Sequence, residues 1–354
     1  MAHSAESGGM EPRKPRIEAR RGALEAFLAR ATGAERAEIV EAVRLGGGAI
    51  QENWALDLRF LGGRLAGGCR LVLRTDAPSR IAPSHGRIEE FRILELVWRA
   101  GIEVPEPIAC CTDPGLLGRP FHVMRHVAGE ARGTRIVRDP LVRERSDLLL
   151  AELVRQLARI HAIRPPRPEL DFLPVPEEAA PWRIREYRTY LDSIDAAEPV
   201  LEYALRRLER IPPESSEIVL THTDFRTGNF LVEQGRLAAI LDWEFASWSD
   251  PLEDLGWFCA RCWRFGAIER EAGGIGGREA FLRAYEEASG RHVDPARLLY
   301  WETMATLRWA VIALLQAERH RSGAEPSLEL ALTAHLLPGL EQDLLEYLAA
   351  LEGT

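Results

Sequence analysis

The sequence predicts an α+β protein in which a small antiparallel sheet precedes a larger, mainly helical region. Two observations support this fold class. Residues 45–75 contain strand-like segments with alternating apolar side chains, separated by paired glycines, which is typical of antiparallel hairpins. From residue 139 onward apolar residues recur at helical spacing, most clearly over 148–163. We therefore expect a sheet-rich first part and a helix-rich second part.

Composition limits the class of protein. A chain of 354 residues with 46% hydrophobic content is expected to form one large domain or two lobes around a sizeable core. The net charge of −9 argues against nucleic acid or an anionic membrane as a partner. We see no apolar run of membrane-spanning length and no signal peptide, and so expect a cytoplasmic protein. Cys259 and Cys262 form a C-x-x-C without a second pair, and are expected to be packing thiols.

The most informative stretch is residues 217–245. The apolar run 218–220 predicts a buried strand. Residues 230–232 and 237–241 predict a hairpin that turns at Gln234 and Gly235. Polar residues that follow these strands would be held on a rigid base.

Three polar residues lie at the ends of these predicted strands. Asp224 and Asn229 fall on the loop before the hairpin, and Asp242 directly follows it. Phosphoryl transfer needs one carboxylate to orient an incoming hydroxyl, and a second carboxylate with a neutral oxygen ligand to hold Mg²⁺. The kinase catalytic loop has Asn five positions after its Asp, as here, and Gly228 would allow a sharp turn before Asn229. The alternative is a polar loop that contains these acids by chance.

The sequence Asp242-Trp243-Glu244, with the following segment 249–255, resembles the aminoglycoside phosphotransferase/choline kinase-like family, within the protein-kinase-like fold. The resemblance covers roughly residues 40–345 and is strongest over 217–257. It implies a bilobal fold, with a small antiparallel-sheet N-lobe and a larger helical C-lobe.

Domain boundaries follow from the same resemblance. Residues 1–15 are expected to be a disordered tail, 16–126 the nucleotide-binding lobe, and 127–354 the helical lobe with the catalytic loop and acceptor site. Helices are expected over 17–31, 86–100, 148–163, 182–210, 251–263 and 294–321, with one or two final helices over 328–352.

The first predicted hairpins supply candidate nucleotide contacts. Gly47 and Gly48 lie in a turn whose backbone N–H groups could approach phosphates, although a plain hairpin has the same pattern. Arg74 lies where a kinase needs a cation for the α- and β-phosphates, and an exposed surface Arg is the alternative. Val72, two positions earlier on the same strand face, would contact the adenine.

Two further contacts are implied by the resemblance. Glu90 would hold Arg74 in place, with the adjacent Glu89 as the competing candidate. The strand 121–124 would lead into a hinge whose main chain pairs with adenine.

That hinge consists of Met124, Arg125 and Val127, and Leu231 would form an apolar floor beneath the base. The same family resemblance assigns Asp254 to the backbone of the catalytic loop, a structural role.

Roles within the site follow from the chemistry. Asp224 is the expected catalytic base, and Asn229 and Asp242 are the expected Mg²⁺ ligands. Arg226 would contact either the transferring phosphoryl group or the acceptor and solvent. Glu244 would either face the acceptor or brace the loop.

Three other residues are expected to have no direct chemical role. His222 would brace it, and Thr223 stands where relatives commonly have Gly. His161, which ends an apolar helix, is expected to be a satisfied core residue rather than a ligand.

These features predict an enzyme that uses ATP and Mg²⁺ to phosphorylate a hydroxyl of a small molecule. One alternative is a kinase of hydroxyacyl thioesters rather than antibiotics, and another is a nucleotide-binding regulatory protein without turnover. Acids of the final predicted helix, such as Glu341 and Glu346, give weak support to a cationic antibiotic as acceptor, and Trp301 and Trp309 favour a partly apolar acceptor equally well. The sequence does not indicate the oligomeric state.

Overall fold

The computed structural model describes residues 16–46, 51–76, 84–194, 197–213 and 217–353. The predicted tail over 1–15 and the glycines Gly47 and Gly48 lie outside these ranges. The chain divides into two compact units: residues up to Asp76 with Ile108–His126, and Ala77–Pro107 with Val127 onward. The predicted lobe 16–126 differs from the first unit in residues 77–107, because the helix there packs against short turns at 168–170 and 243–245.

The first unit is a five-stranded sheet with helices. Its elements are α1 (Arg16–Ala19), α2 (Arg21–Thr32), β1 (Arg36–Leu45), β2 (Gln51–Leu61), β3 (Gly67–Asp76), β4 (Pro107–Cys111), α4 (Pro114–Leu117) and β5 (Phe121–Arg125). The strand order is β1-β2-β3-β5-β4, with antiparallel pairing from β1 through β3 to β5. The expected helix over 17–31 is present, and Gly33 ends it in the left-handed conformation.

Strand β3 has the alternation that its sequence predicts. Leu71 and Leu73 point into the core of the first unit with no exposed surface. Val72 pairs in register with Met124 on β5, and Arg74 pairs with His122. The sheet therefore brings two of the predicted adenine contacts, Val72 and Met124, side by side.

The second unit is mainly helical. Its helices are α3 (Arg87–Arg99), α5 (Gly133–Ile136), α6 (Pro140–Glu144), α7 (Ser146–Ile160), α8 (Ala179–Asp192), α9 (Pro199–Arg210), α10 (Leu252–Cys259), α11 (Arg278–Ser289), α12 (Pro295–Arg321), α13 (Leu328–Thr333) and α14 (Leu337–Glu352). Two strand pairs complete it: β6 (Val219–Thr221) with β9 (Ser247–Ser249), and β7 (Phe230–Glu233) with β8 (Arg236–Ile240). This distribution confirms the predicted α+β class.

The prediction of one long helix over 182–210 is wrong. The structure has two helices there, α8 and α9, and Pro199 is the first residue of α9. Proline lacks a backbone N–H and clashes with the preceding turn, so it starts a helix readily but interrupts one.

Helix α12 is the central helix of the second unit. Asp294 caps it by accepting hydrogen bonds from the backbone of Ala296 and Arg297. Contrary to our expectation from sequence, this helix has the length and hydropathy of a membrane span, but 78% of that window is buried inside the protein. It is therefore interpreted as a core helix. Trp301 is part of that core, which removes the argument that it contacts an acceptor.

Helices α10 and α12 approach closely at Gly256. A β-carbon at this position would lie 2.6 Å from the Trp301 carbonyl carbon. We expect Gly256→Ala to lower the free energy of unfolding by about 1–3 kcal/mol, because neither backbone can easily move apart. Gly22→Ala is the control, since a β-carbon there meets nothing within 4 Å, and it should be neutral or slightly stabilising. Chemical denaturation of both variants checks this, and equal stabilities would contradict the close packing.

Glu302 on α12 is completely buried. Burial raises the pKa of its carboxyl to about 7, although the Arg278 guanidinium lies 3.0 Å away without hydrogen-bond alignment. Between about pH 4.5 and 7, the folded protein therefore keeps a proton on Glu302 that the unfolded chain has already released. The resulting stability is fully present below this range and is lost as the pH rises through it.

We therefore expect the unfolding free energy of the native protein to fall from pH 4.5 to 7 more steeply than that of Glu302→Gln. The expected difference is on the order of 3 kcal/mol, at about 1.4 kcal/mol per pKa unit. Denaturant titrations at several pH values measure it. Parallel pH profiles for the two proteins would show that Glu302 is ionised in the fold.

Candidate active site

The predicted catalytic loop lies between two strand pairs of the second unit. Strand β6 precedes the loop, and the β7–β8 hairpin follows it, as the sequence predicts. Gln234 and Gly235 both have positive φ at the hairpin turn. Gly228 has φ of 114°, a conformation that favours glycine, directly before Asn229.

Asp224 is half-buried and is held by three side chains. One carboxylate oxygen accepts hydrogen bonds from Trp257 Nε1 at 2.8 Å and Arg226 Nε at 3.1 Å. The other accepts from Asn229 Nδ2 at 2.5 Å. These donors fix the carboxylate at one orientation, which is what positioning an incoming hydroxyl requires.

Asp242 is brought to the catalytic loop through its neighbour Leu241. The Leu241 N–H donates to the Asn229 carbonyl at 2.8 Å, and the Leu241 carbonyl accepts from His222 Nε2 at 2.7 Å. Asp242 itself has left-handed backbone angles, with φ of 63°. Asp242 therefore directly follows Leu241, a residue that hydrogen-bonds both His222 and Asn229 of the loop.

The donor set fits a hard divalent cation. Because the Asn229 amide nitrogen faces Asp224, its amide oxygen is the atom left for another ligand. An amide oxygen and the Asp242 carboxylate are the kinds of ligand that Mg²⁺ takes, with phosphates and water completing the shell.

Asp254 anchors the backbone of the loop, as the family resemblance implies. Its carboxylate accepts from the backbone N–H groups of His222 at 2.8 Å and Thr223 at 2.7 Å. It also accepts from His161 Nε2 at 3.1 Å, while His161 Nδ1 contacts the Tyr285 hydroxyl at 2.8 Å. Burial raises the pKa of Asp254, but these hydrogen bonds outweigh it and hold the pKa below its usual range. His161 is thus a satisfied core residue, as predicted.

We expect Asp254→Ala to lower the free energy of unfolding by about 2–6 kcal/mol. Two backbone N–H groups would lose their buried acceptor, at about 1–3 kcal/mol each. Equilibrium denaturation measures the loss. An exposed acid, Asp171→Ala, is the control and should change stability by less than about 1 kcal/mol. A loss of that small size for Asp254→Ala would contradict the anchoring role.

Thr223 adopts a backbone conformation that is rare for a β-branched residue, with φ of 58°. Its side chain donates to the Phe245 carbonyl at 2.6 Å, and its own carbonyl accepts from Arg308. His222 braces the same turn as predicted, because its Nδ1 accepts from the Asp224 N–H at 3.2 Å while its Nε2 bonds Leu241. The loop conformation is therefore imposed by its neighbours.

Arg226 and Glu244 have defined partners. Arg226 bonds Asp224 and stacks over the Trp263 ring, with 4.4 Å between its guanidinium carbon and the ring centroid. Glu244 is buried and accepts from Arg87 at 3.0 Å, so it braces the segment after Asp242.

The predicted nucleotide contacts divide between the two units. Val72, Arg74, Met124 and Arg125 belong to the first unit; Glu90, Val127 and Leu231 belong to the second. Within its own unit Glu90 accepts from Arg87. The roles assigned to all seven residues, including the pairing of Arg74 with Glu90, remain predictions.

Sequence reasoning missed three residues of this site: Trp257, Arg87 and Arg308. Trp257 carried a readable signal, since it lies three positions after Asp254 on α10 and therefore on the same helical face. Arg87 and Arg308 reach the site only through long-range packing.

Comparison with known proteins identifies the family and the fold of the chain. The model of the phosphotransferase enzyme family (APH) matches residues 41–301, and the chain belongs to this family. A Ralstonia eutropha protein regarded as an aminoglycoside phosphotransferase superposes with a TM-score of 0.74 at 20% identity, covering 93% of this chain and 98% of that one. The GDP complex of aminoglycoside 2'-phosphotransferase-IIIa gives 0.62 at 17% identity, covering 92% and 99%. These likenesses establish a kinase-like fold.

Proteins that are similar to this chain in sequence are named as acyl-CoA dehydrogenase family members rather than as phosphotransferases. Acyl-CoA dehydrogenase family member 11 of Pongo abelii is 26% identical over 77% of this chain and 36% of its own length. The same protein of Gallus gallus is 31% identical over 54% of this chain and 25% of its own length. The chain thus spans about a third or less of these relatives.

Proposed function

We propose that this protein is an ATP- and Mg²⁺-dependent phosphotransferase that transfers the γ-phosphate to a hydroxyl of a small molecule. The observation that supports this most directly is the set of three donors on Asp224, which leaves a fixed carboxylate beside Asn229 and the segment leading to Asp242. In this proposal Asp224 orients the acceptor hydroxyl and takes up its proton. We propose a cytoplasmic location, where ATP and Mg²⁺ are available.

The other residues have supporting roles. Asn229 and Asp242 would hold Mg²⁺, which when bound offsets the negative charge of the phosphates. Arg226 holds Asp224 and provides positive charge next to it. Asp254 and His222 keep the loop backbone in place.

The proposal is tested by incubating the protein with ATP or GTP, MgCl₂ and a panel of alcohols, and by searching for an added phosphate mass in the products. We expect Mg²⁺-dependent transfer to at least one alcohol, and transfer slower by about two to four orders of magnitude for Asp224→Asn. If nucleotide binds but no acceptor raises turnover, and Asp224→Asn changes nothing, the protein is a nucleotide-binding regulator instead.

A second candidate is a kinase of hydroxyacyl thioesters. Its support is the similarity to chains named as acyl-CoA dehydrogenase family members, in which the matching segment is joined to a longer protein. Direct competition between hydroxyacyl-CoA esters and kanamycin or hygromycin B as acceptors separates the two. Preferential phosphorylation of the thioester would support this candidate, and preferential phosphorylation of the antibiotics would exclude it.

A further inference from the structure

A pocket of about 130 Å³ lies in the second unit, beside the catalytic loop. This is several times the roughly 10–15 Å³ that one water molecule needs. Its walls include the aromatic residues Trp182, Tyr187, Phe245 and Trp248. Arg183 and Arg308 also line the pocket, and their guanidinium groups differ in how many acidic partners they have.

Arg183 has all its nitrogens engaged. Its Nε donates to Glu253 at 3.1 Å, its Nη1 donates to Glu186 at 2.8 Å, and its Nη2 bonds Ser247. Glu186 in turn accepts from the Tyr190 hydroxyl at 2.8 Å. Glu186 and Glu253 therefore both pair with Arg183, which weakens their attraction for a cationic ligand.

Arg308 is in a different situation. It is only 8% exposed, and the charge of its guanidinium rests against the rings of Trp257 and Phe245, at 4.6 Å and 5.6 Å. Its one hydrogen bond among the described residues goes from Nη1 to the Thr223 carbonyl. Across the described ranges no carboxylate oxygen lies within 4.0 Å of it. The Glu186 carboxylate on the pocket wall interacts with Arg308 electrostatically, but its ion pair is with Arg183. Among the described residues no carboxylate therefore occupies the planar donors of Arg308, which suit such a group.

The pocket is coupled to the catalytic base through Trp257. One face of the indole carries Arg308, and its Nε1 donates to Asp224. Thr223, which precedes the base, bonds both Arg308 and Phe245 of the pocket wall. A ligand bound to Arg308 would thus be separated from Asp224 by the Trp257 ring on one route and by Thr223 on the other.

From these contacts we propose that the pocket binds an anionic end of the acceptor alcohol, with Arg308 as the specificity-determining residue. The acceptor class is an alcohol with a short apolar body and a carboxylate or similar anion. This inference rests on the proposed phosphotransferase function and narrows its acceptor. A polycationic acceptor is disfavoured, because Glu186 and Glu253 are already paired with Arg183.

The test uses an isosteric series on the full chain: butanoate, butanamide and butylammonium, measured by calorimetry or saturation-transfer NMR. We expect butanoate to bind most tightly and butylammonium not at all. Arg308→Gln should weaken butanoate binding about 10- to 100-fold, as expected for a lost charge-assisted hydrogen bond. Arg308→Lys should recover part of it. Arg319→Gln, on the same helix but outside the pocket, is the matched control and should leave binding unchanged.

Because Arg308 also bonds the loop, each variant is checked by its unfolding midpoint and by nucleotide binding. Butylammonium binding as tightly as butanoate, or a folded Arg308→Gln that binds butanoate normally, would overturn the assignment. Turnover with hydroxybutanoates, hydroxybutanamides and amino alcohols then tests the acceptor role. Transfer that favours amino alcohols would leave the phosphotransferase function standing and refute the anionic acceptor. Arg308-dependent butanoate binding without any transfer would refute the function and leave only a carboxylate site.

Discussion

Asp224→Asn is expected to lower kcat for phosphoryl transfer by about two to four orders of magnitude, the usual loss when general-base assistance is removed. The carboxylate accepts from Trp257, Arg226 and Asn229. An amide can no longer take up the acceptor proton, and it presents N–H groups where acceptors are needed. Steady-state kinetics with a working acceptor measures kcat, and nucleotide titration measures whether binding persists.

The control for this change is Asp171→Asn. Asp171 is an exposed acid that pairs with Arg92, and its loss should alter kcat less than about twofold. If Asp224→Asn keeps more than a tenth of the native kcat while remaining folded, Asp224 is not the base, and the geometry around it only stabilises the loop.

Asp242→Asn is expected to have the second largest effect. It replaces a charged cation ligand by a neutral amide oxygen, which removes several kcal/mol of charge stabilisation, or about a 10³-fold loss in turnover. The Mg²⁺ concentration needed for half-maximal activity should also rise. Electron paramagnetic resonance of Mn²⁺ with bound ATP gives a readout that does not depend on turnover.

The control for Asp242→Asn is Glu244→Gln, which changes the acid two residues further along the chain. Glu244 pairs with Arg87, so this variant should lose stability but keep the native Mg²⁺ requirement. If both substitutions shift the metal requirement equally, Asp242 acts through the packing of its segment. If neither does, the metal assignment is wrong.

Much of this site could be predicted from sequence because the evidence is local. The β7–β8 hairpin follows from alternating apolar residues and a turn at Gln234 and Gly235, and it fixes where Asn229 falls. The position of Asp254 beneath the loop followed from the family motif, and the structure confirms it.

Other features depend on contacts between distant parts of the chain. Arg308 bonds Thr223 across 85 residues, and Arg87 reaches Glu244 across 157. No periodicity or turn residue encodes such pairs, because they result from how helices pack. The break between α8 and α9 does have a local signal in Pro199, which starts a helix more readily than it continues one, although apolar spacing over 182–210 favours a single helix.

The left-handed Thr223 has a consequence for biosynthesis. Its conformation is unfavourable in isolation and is secured by Asp254 on α10 and by Arg308 on α12. During translation the loop leaves the ribosome well before α12 does. All residues of the loop are then present, but Arg308, which holds Thr223, is not yet available. Nascent chains arrested before residue 308 should therefore contain every residue that we propose to act in phosphoryl transfer, and yet lack the native loop conformation.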